Sequence, residues 1–133
     1  MLMLPISVGA QSEQFDWTPV MDAIIQVESK GNPKAYNPKG DCAGILQITP
    51  GLVKQCNAWL AKQKSKKRYS LRDRYNVTKS KEMFVMYQEH YNKSNDVERA
   101  IRVWNGGPGF TIKGTNGYLK KVMKHYKNEK EAT

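Results

Sequence analysis

The sequence predicts a mainly α fold in one domain. Three observations carry this. Apolar residues recur at three- and four-residue spacing in five stretches, and no long strand-like alternation appears. Two Thr-Pro pairs, Thr18-Pro19 and Thr49-Pro50, stand where such stretches begin, as a helix cap followed by a proline in the first turn. A chain of 133 residues is enough for one core and too short for two.

The elements follow in order. Residues 1–10 are apolar and uncharged and end in Val8-Gly9-Ala10. They read as the tail of a secretory signal cleaved after Ala10, which predicts export to the periplasm or cell envelope, or as an ordinary loose terminus. Residues 1–15 are thus signal remnant and linker, 16–128 the domain and 129–133 a polar tail. The first helix has Thr18 as cap, Met21, Ile24, Ile25 and Glu28 at helical spacing, and Gly31 as stop. Residues 32–43 are rich in Asn, Pro and Gly and form a loop with a short hairpin. Thr49-Pro50 opens a helix striped by Leu52, Val53, Cys56, Trp59 and Leu60. A third helix runs over 77–91 with Phe84, Val85, Gln88 and Tyr91. Asp96 caps a fourth, striped by Val97, Ala100, Ile101 and Trp104 and broken by Asn105-Gly106-Gly107-Pro108-Gly109. A fifth, from about Gly117, carries Tyr118, Leu119, Val122, Met123 and Tyr126.

The charge is unevenly placed. The net charge is +10, yet residues 1–50 sum to −2 and residues 51–133 to +12. Residues 62–72 hold Lys62, Lys64, Lys66, Lys67, Arg68 and Arg72 and no acid. Such a surface favours a polyanion or only keeps the protein soluble. Apolar runs fall well short of the ~20 residues of a membrane span. The 2 cysteines and 2 widely separated histidines make a metal centre unexpected. No phosphate-cradling glycine motif appears, so no nucleotide cofactor is expected.

Glu28 carries the chemistry. It sits on the apolar stripe near the end of its helix, beside the Gly/Pro-rich loop. Burial there disfavours the charged form. A carboxyl still protonated near neutral pH can give its proton to a glycosidic oxygen. Spacing alone also fits a boundary glutamate whose tip reaches solvent.

The surrounding string resembles the catalytic segment of the soluble lytic transglycosylase family, related to goose-type lysozyme. The matching elements are Glu28-Ser29, Asn32-Pro33, Gly44-Ile45-Leu46-Gln47 and Pro50. Asn76 after Leu71-Arg72-Asp73-Arg74-Tyr75 resembles the asparagine before the family's next long helix. Val103-Trp104-Asn105-Gly106-Gly107-Pro108 is similar to its Ala-Tyr-Asn-Ala-Gly-Pro, and Tyr118-Leu119 with Val122 to its final helix. These motifs stand in the family's order across about residues 16–126. The resemblance implies a lysozyme-like domain acting on peptidoglycan glycan strands, at the bond between N-acetylmuramic acid and N-acetylglucosamine. It implies Glu28 as acid and then base, 1,6-anhydro products, and no metal or cofactor.

The same resemblance suggests substrate-binding roles for Gln47, Trp104, Asn105, Asn37 and Tyr118. Each also has a plain structural reading: a satisfied core amide, a core indole, a helix cap, a turn asparagine and a helix-packing tyrosine. Trp104 departs from the family's Tyr, since an indole donates one hydrogen bond and accepts none. Ser29 is read as structural. Asp41 is the other acid of the loop. It would be the water-activating base of a hydrolase, or a turn former. Cys42 and Cys56 flank the Gly-Ile-Leu-Gln segment, either disulfide-bonded or as separate thiols. A catalytically silent glycan binder and a basic nucleic-acid module are the rival classes. The aromatics follow helix stripes instead of interleaving with lysines, so no specific nucleic acid is expected. Size predicts a monomer.

Overall fold

The computed structural model describes residues 14–132, with side chains to Tyr126. The signal-like residues 1–10 therefore lie outside the described residues. The elements are α1 (Thr18–Glu28), β1 (Tyr36–Asn37), β2 (Cys42–Ala43), α2 (Pro50–Lys62), a 3₁₀ helix (Leu71–Tyr75), α3 (Val77–Tyr91), α4 (Val97–Gly106) and α5 (Ile112–Ala132). The fold is mainly α, as expected, with one two-stranded antiparallel hairpin pairing Tyr36 with Ala43 and Asn37 with Cys42. The last helix continues past residue 128 to Ala132, so no structural break marks the polar tail.

α1 is the central post. Val20, Met21, Ala23, Ile24 and Ile25 are all buried, which is the pattern of a helix enclosed on most sides. It packs chiefly against α5 and also against α4, while α2 packs on α3. Ile24, Leu46, Phe84, Ile101 and Val122 are sealed at 0% exposure. Each such side chain contributes about 1.5–3 kcal/mol.

The caps expected at Thr49 and Asp96 form. Thr49 accepts from the backbone of Leu52 at 3.2 Å and Asp96 from that of Arg99 at 2.7 Å. The first cap differs from expectation. Thr18 is the first helical residue, and its N–H is bonded by Asp16 Oδ1 at 3.0 Å. An aspartate two residues back supplies the capping oxygen just as a threonine would. Asn105 is likewise no cap. It lies within α4, which ends on Gly107 at φ +78°, a left-handed conformation suited to glycine.

Two elements were not legible. The 3₁₀ helix falls in the basic stretch, and α5 begins at Ile112, ahead of Gly117. Its first turns hold Gly114, Thr115, Asn116 and Gly117, and each glycine costs about 1 kcal/mol in a helix. Tertiary bonds offset this. Arg102, 6% exposed, reaches from α4 and donates to Ile112 O at 2.9 Å, Thr115 Oγ1 at 2.8 Å and Asn116 Oδ1 at 3.0 Å.

A second buried guanidinium fastens the hairpin. Arg74 donates to Asp41 O at 2.7 Å, Ile48 O at 3.1 Å and Leu71 O at 3.0 Å. Its own carbonyl lies against Gly44, where an added Cβ would meet Arg74 O at 1.8 Å. Gly44 also has φ +83°, so both shape and conformation require glycine there.

Candidate active site

α1 ends at Glu28, and the chain then turns into the hairpin. Ser29 fixes this exit, donating through Oγ to Ile45 O at 2.8 Å. The structural role read for Ser29 fits this bond. The segment 44–47 folds back as a tight turn, closed by paired bonds between Ala43 and Ile48 of 3.0 and 2.9 Å. Gln47 holds its inside. It has φ +53°, and its Nε2 donates to Gly44 O at 3.0 Å and Ala35 O at 3.3 Å. A non-glycine residue in this conformation is held there by its surrounding bonds.

These elements form one side of a cleft of about 480 Å³. Glu28 lies in its wall, with Asn37 and Cys42 from the hairpin and Gln47 from the turn. α2 contributes Leu52 and Gln55, α3 contributes Tyr87 and Tyr91, and α4 contributes Trp104 and Asn105. The cleft thus pairs one acid with amides on one side and aromatic rings on the other. Such a mixture suits a sugar, which has apolar faces and a rim of hydroxyls.

Glu28 is half-buried. Burial raises its pKa, and a hydrogen bond from Tyr118 works against the rise. The Tyr118 hydroxyl donates to Glu28 Oε2 at 2.6 Å across 90 residues of sequence. Burial, with the negative charge of Glu28 beside it, pushes the phenol's own pKa far up. Tyr118 is therefore a donor at every working pH. Among the described residues no other hydrogen bond reaches the Glu28 carboxyl. Tyr118 thus holds one oxygen of a carboxyl that lines the cleft.

The other expected residues fall as follows. Gln47, Asn37, Trp104 and Asn105 line the cleft with Glu28. Asn37 also makes the turn bond foreseen for it, accepting from Lys39 N at 3.0 Å. Trp104 is both core and wall, since its ring packs 4.8 Å from Phe84 and 5.4 Å from Tyr87. Tyr118 is not part of the cleft wall and meets Glu28 instead of lining the groove. Asp41 is not in the wall either. It has φ +54° and faces Arg74 Nη1 at 3.3 Å, so its place is the hairpin turn. Cys42 and Cys56 are separate free thiols. Cys42 lines the cleft, while Cys56 is sealed in the core stripe of α2, and burial pushes its thiol up to about 12. Cys56 sits on α2 as a small apolar residue does, and the disulfide alternative is not what the structure holds.

Sequence reading missed Tyr87 and Tyr91 as cleft residues. Their rings lie 5.0 Å apart, and Tyr87 Oη donates to Val103 O at 3.2 Å. The signal was present as an i, i+4 aromatic pair on α3.

A lone acid at the end of a central helix, set in an aromatic and amide cleft beside a small hairpin, defines the class. This is a lysozyme-like, mainly α domain. The chain belongs to the transglycosylase SLT domain family, whose sequence profile matches residues 6–127. Comparisons with curated proteins and with solved structures gave no match. The match covers every element that builds the site.

Proposed function

We propose that this protein is a peptidoglycan lytic transglycosylase, acting outside the cytoplasm on the β-1,4 bond between N-acetylmuramic acid and N-acetylglucosamine. The observation that carries the reading is the half-buried Glu28, held by Tyr118 in the wall of the cleft. Its protonated carboxyl donates to the glycosidic oxygen as the bond from muramyl C1 to that oxygen breaks. The carboxylate so formed takes the proton of the muramyl 6-hydroxyl, whose oxygen attacks C1. The ring closes as a 1,6-anhydro end, no water is consumed, and Glu28 regains its proton. Gln47, Asn37 and Asn105 supply polar contacts to the sugars, and Trp104, Tyr87 and Tyr91 supply apolar faces. The test is release of soluble muropeptides from purified peptidoglycan. No release under any pH between 4 and 9 would overturn the proposal.

Tyr118 serves as a positioning residue. Its bond favours the charged form of Glu28, so Tyr118→Phe raises the carboxyl's pKa further. The alkaline limb of the pH–kcat/KM profile should move to higher pH, and kcat should fall about tenfold from lost orientation. An unmoved limb would mean that Tyr118 only packs.

A hydrolase would need a second carboxylate ~6.5–9.5 Å from the first to activate water. Asp41, the other acid of the loop that follows Glu28, is engaged by Arg74 outside the cleft wall. Asp41→Asn should therefore leave the rate of muropeptide release within about twofold of wild type. A collapse in rate would favour hydrolysis with Asp41 as base.

A further inference from the structure

We propose that the surface formed by residues 62–81 docks this protein on an anionic lipid bilayer. Two features that rarely coincide meet there. The first is charge. Lys62, Lys64, Lys66, Arg68 and Arg72 are all exposed, and among the described residues none has an ion-pair partner, whereas Lys67 pairs with Glu82 and Lys79 with Asp73. Those two acids are neutralised locally, so the surface as a whole is strongly positive.

The second feature is apolar exposure in the same segment. Leu71 is 49% exposed, Tyr75 39% and Val77 41%. Leu71 and Tyr75 are the ends of the 3₁₀ helix and Val77 is the first residue of α3. Arg72 and Tyr75, three apart in a 3₁₀ helix, share one face. The 3₁₀ helix is rigidly backed, because Arg74 within it is buried and bonded into the hairpin. Leu71, Tyr75 and Val77 thus stay exposed in a firmly held segment that also carries the exposed Arg72.

Charge alone would suit any polyanion. A phosphate polymer or nucleic acid gains little from an outward leucine and valine, whereas the boundary between lipid headgroups and acyl chains takes both kinds of group at once. Among the described residues no helix is long and apolar enough to cross a membrane, so the contact is peripheral. The lysines of the surface follow the C-terminal end of α2, whereas Leu52 and Gln55 of its first two turns line the cleft; the 3₁₀ helix backs the hairpin through Arg74. None of the exposed residues of the surface is in the cleft wall. The proposal does not rest on the catalytic reading, since it needs no glycan.

The test is co-sedimentation with vesicles of phosphatidylglycerol and phosphatidylcholine, with pure phosphatidylcholine vesicles and soluble polyphosphate alongside. Wild-type protein should bind the anionic vesicles at about 0.1 M salt and not the neutral ones. A cation near an anionic surface is worth roughly fivefold in affinity, so Lys64→Gln with Lys66→Gln and Arg72→Gln should weaken vesicle binding roughly a hundredfold. Leu71→Ser with Val77→Ser should weaken it about tenfold while leaving polyphosphate binding unchanged. All five positions are exposed and outside the cleft wall, so muropeptide release should stay at wild-type level in both variants. Failure of the wild type to bind anionic vesicles would overturn the proposal. So would wild-type vesicle binding by the serine pair, which would make the surface a plain polyanion site.

Discussion

Glu28→Gln should reduce turnover on purified peptidoglycan by about a thousandfold or more. The amide keeps the size of the side chain and can still accept the Tyr118 hydrogen bond, but it has no proton to give. Substrate affinity, read by co-sedimentation with peptidoglycan, should stay near wild type. The same variant makes a separate thermodynamic prediction. Burial raises the Glu28 pKa above its ordinary value of 4.5. Between the unfolded and folded values the native state binds more protons than the unfolded state, so stability falls as pH rises through that window. Glutamine escapes this penalty. The variant should therefore melt at a higher temperature than wild type at pH 7, and the two should converge below pH 4.5. An inactive protein that melts lower at pH 7 would mean that Glu28 is a structural residue whose loss damages the fold.

Arg102→Met carries the largest expected loss of stability, about 2–3 kcal/mol. The guanidinium is 6% exposed. It ends on three oxygens of the first turns of α5 and on Glu98 Oε2 at 2.9 Å. Methionine fills the volume and leaves those oxygens without their donor. The first turns of α5 already contain Gly114 and Gly117 and would fray without this hold. Tyr118 stands immediately after them. A second effect should follow: even where the variant is folded, kcat should fall with the pH limb shifted as in Tyr118→Phe. Denaturant unfolding with activity measured below the transition checks both. A loss under about 1 kcal/mol would show that α5 needs no such anchor.

The fold was largely legible because its signals are local. Thr49 and Asp96 are caps within a few residues of what they cap, and the apolar stripes of α2, α3 and α4 repeat at helical spacing. The hairpin announced itself through its Asn, Pro and Gly content. What escaped depends on distance in sequence. Arg74 and Arg102 read as two more positive charges in a basic half, yet both are buried posts whose acceptors lie up to 33 residues away. The start of α5 was misplaced because its propensity is poor and its support comes from α4. The site divides in the same way. Glu28, Gln47 and Asn37 stand close together in sequence and their motif could be seen at once. The bond between Tyr118 and Glu28 joins the two ends of the domain, and only packing of α5 on α1 creates it. Trp104 fits either wall or core by sequence, and packing on Phe84 while lining the cleft makes it both.

The most direct test of transglycosylation through Glu28 is mass spectrometry of the muropeptides released from purified peptidoglycan. Products lighter than the hydrolytic ones by one water, with 1,6-anhydro ends, are the result predicted here. Products with reducing ends would contradict it and would require a water-activating base that the cleft wall, with Glu28 as its one carboxylate, does not supply.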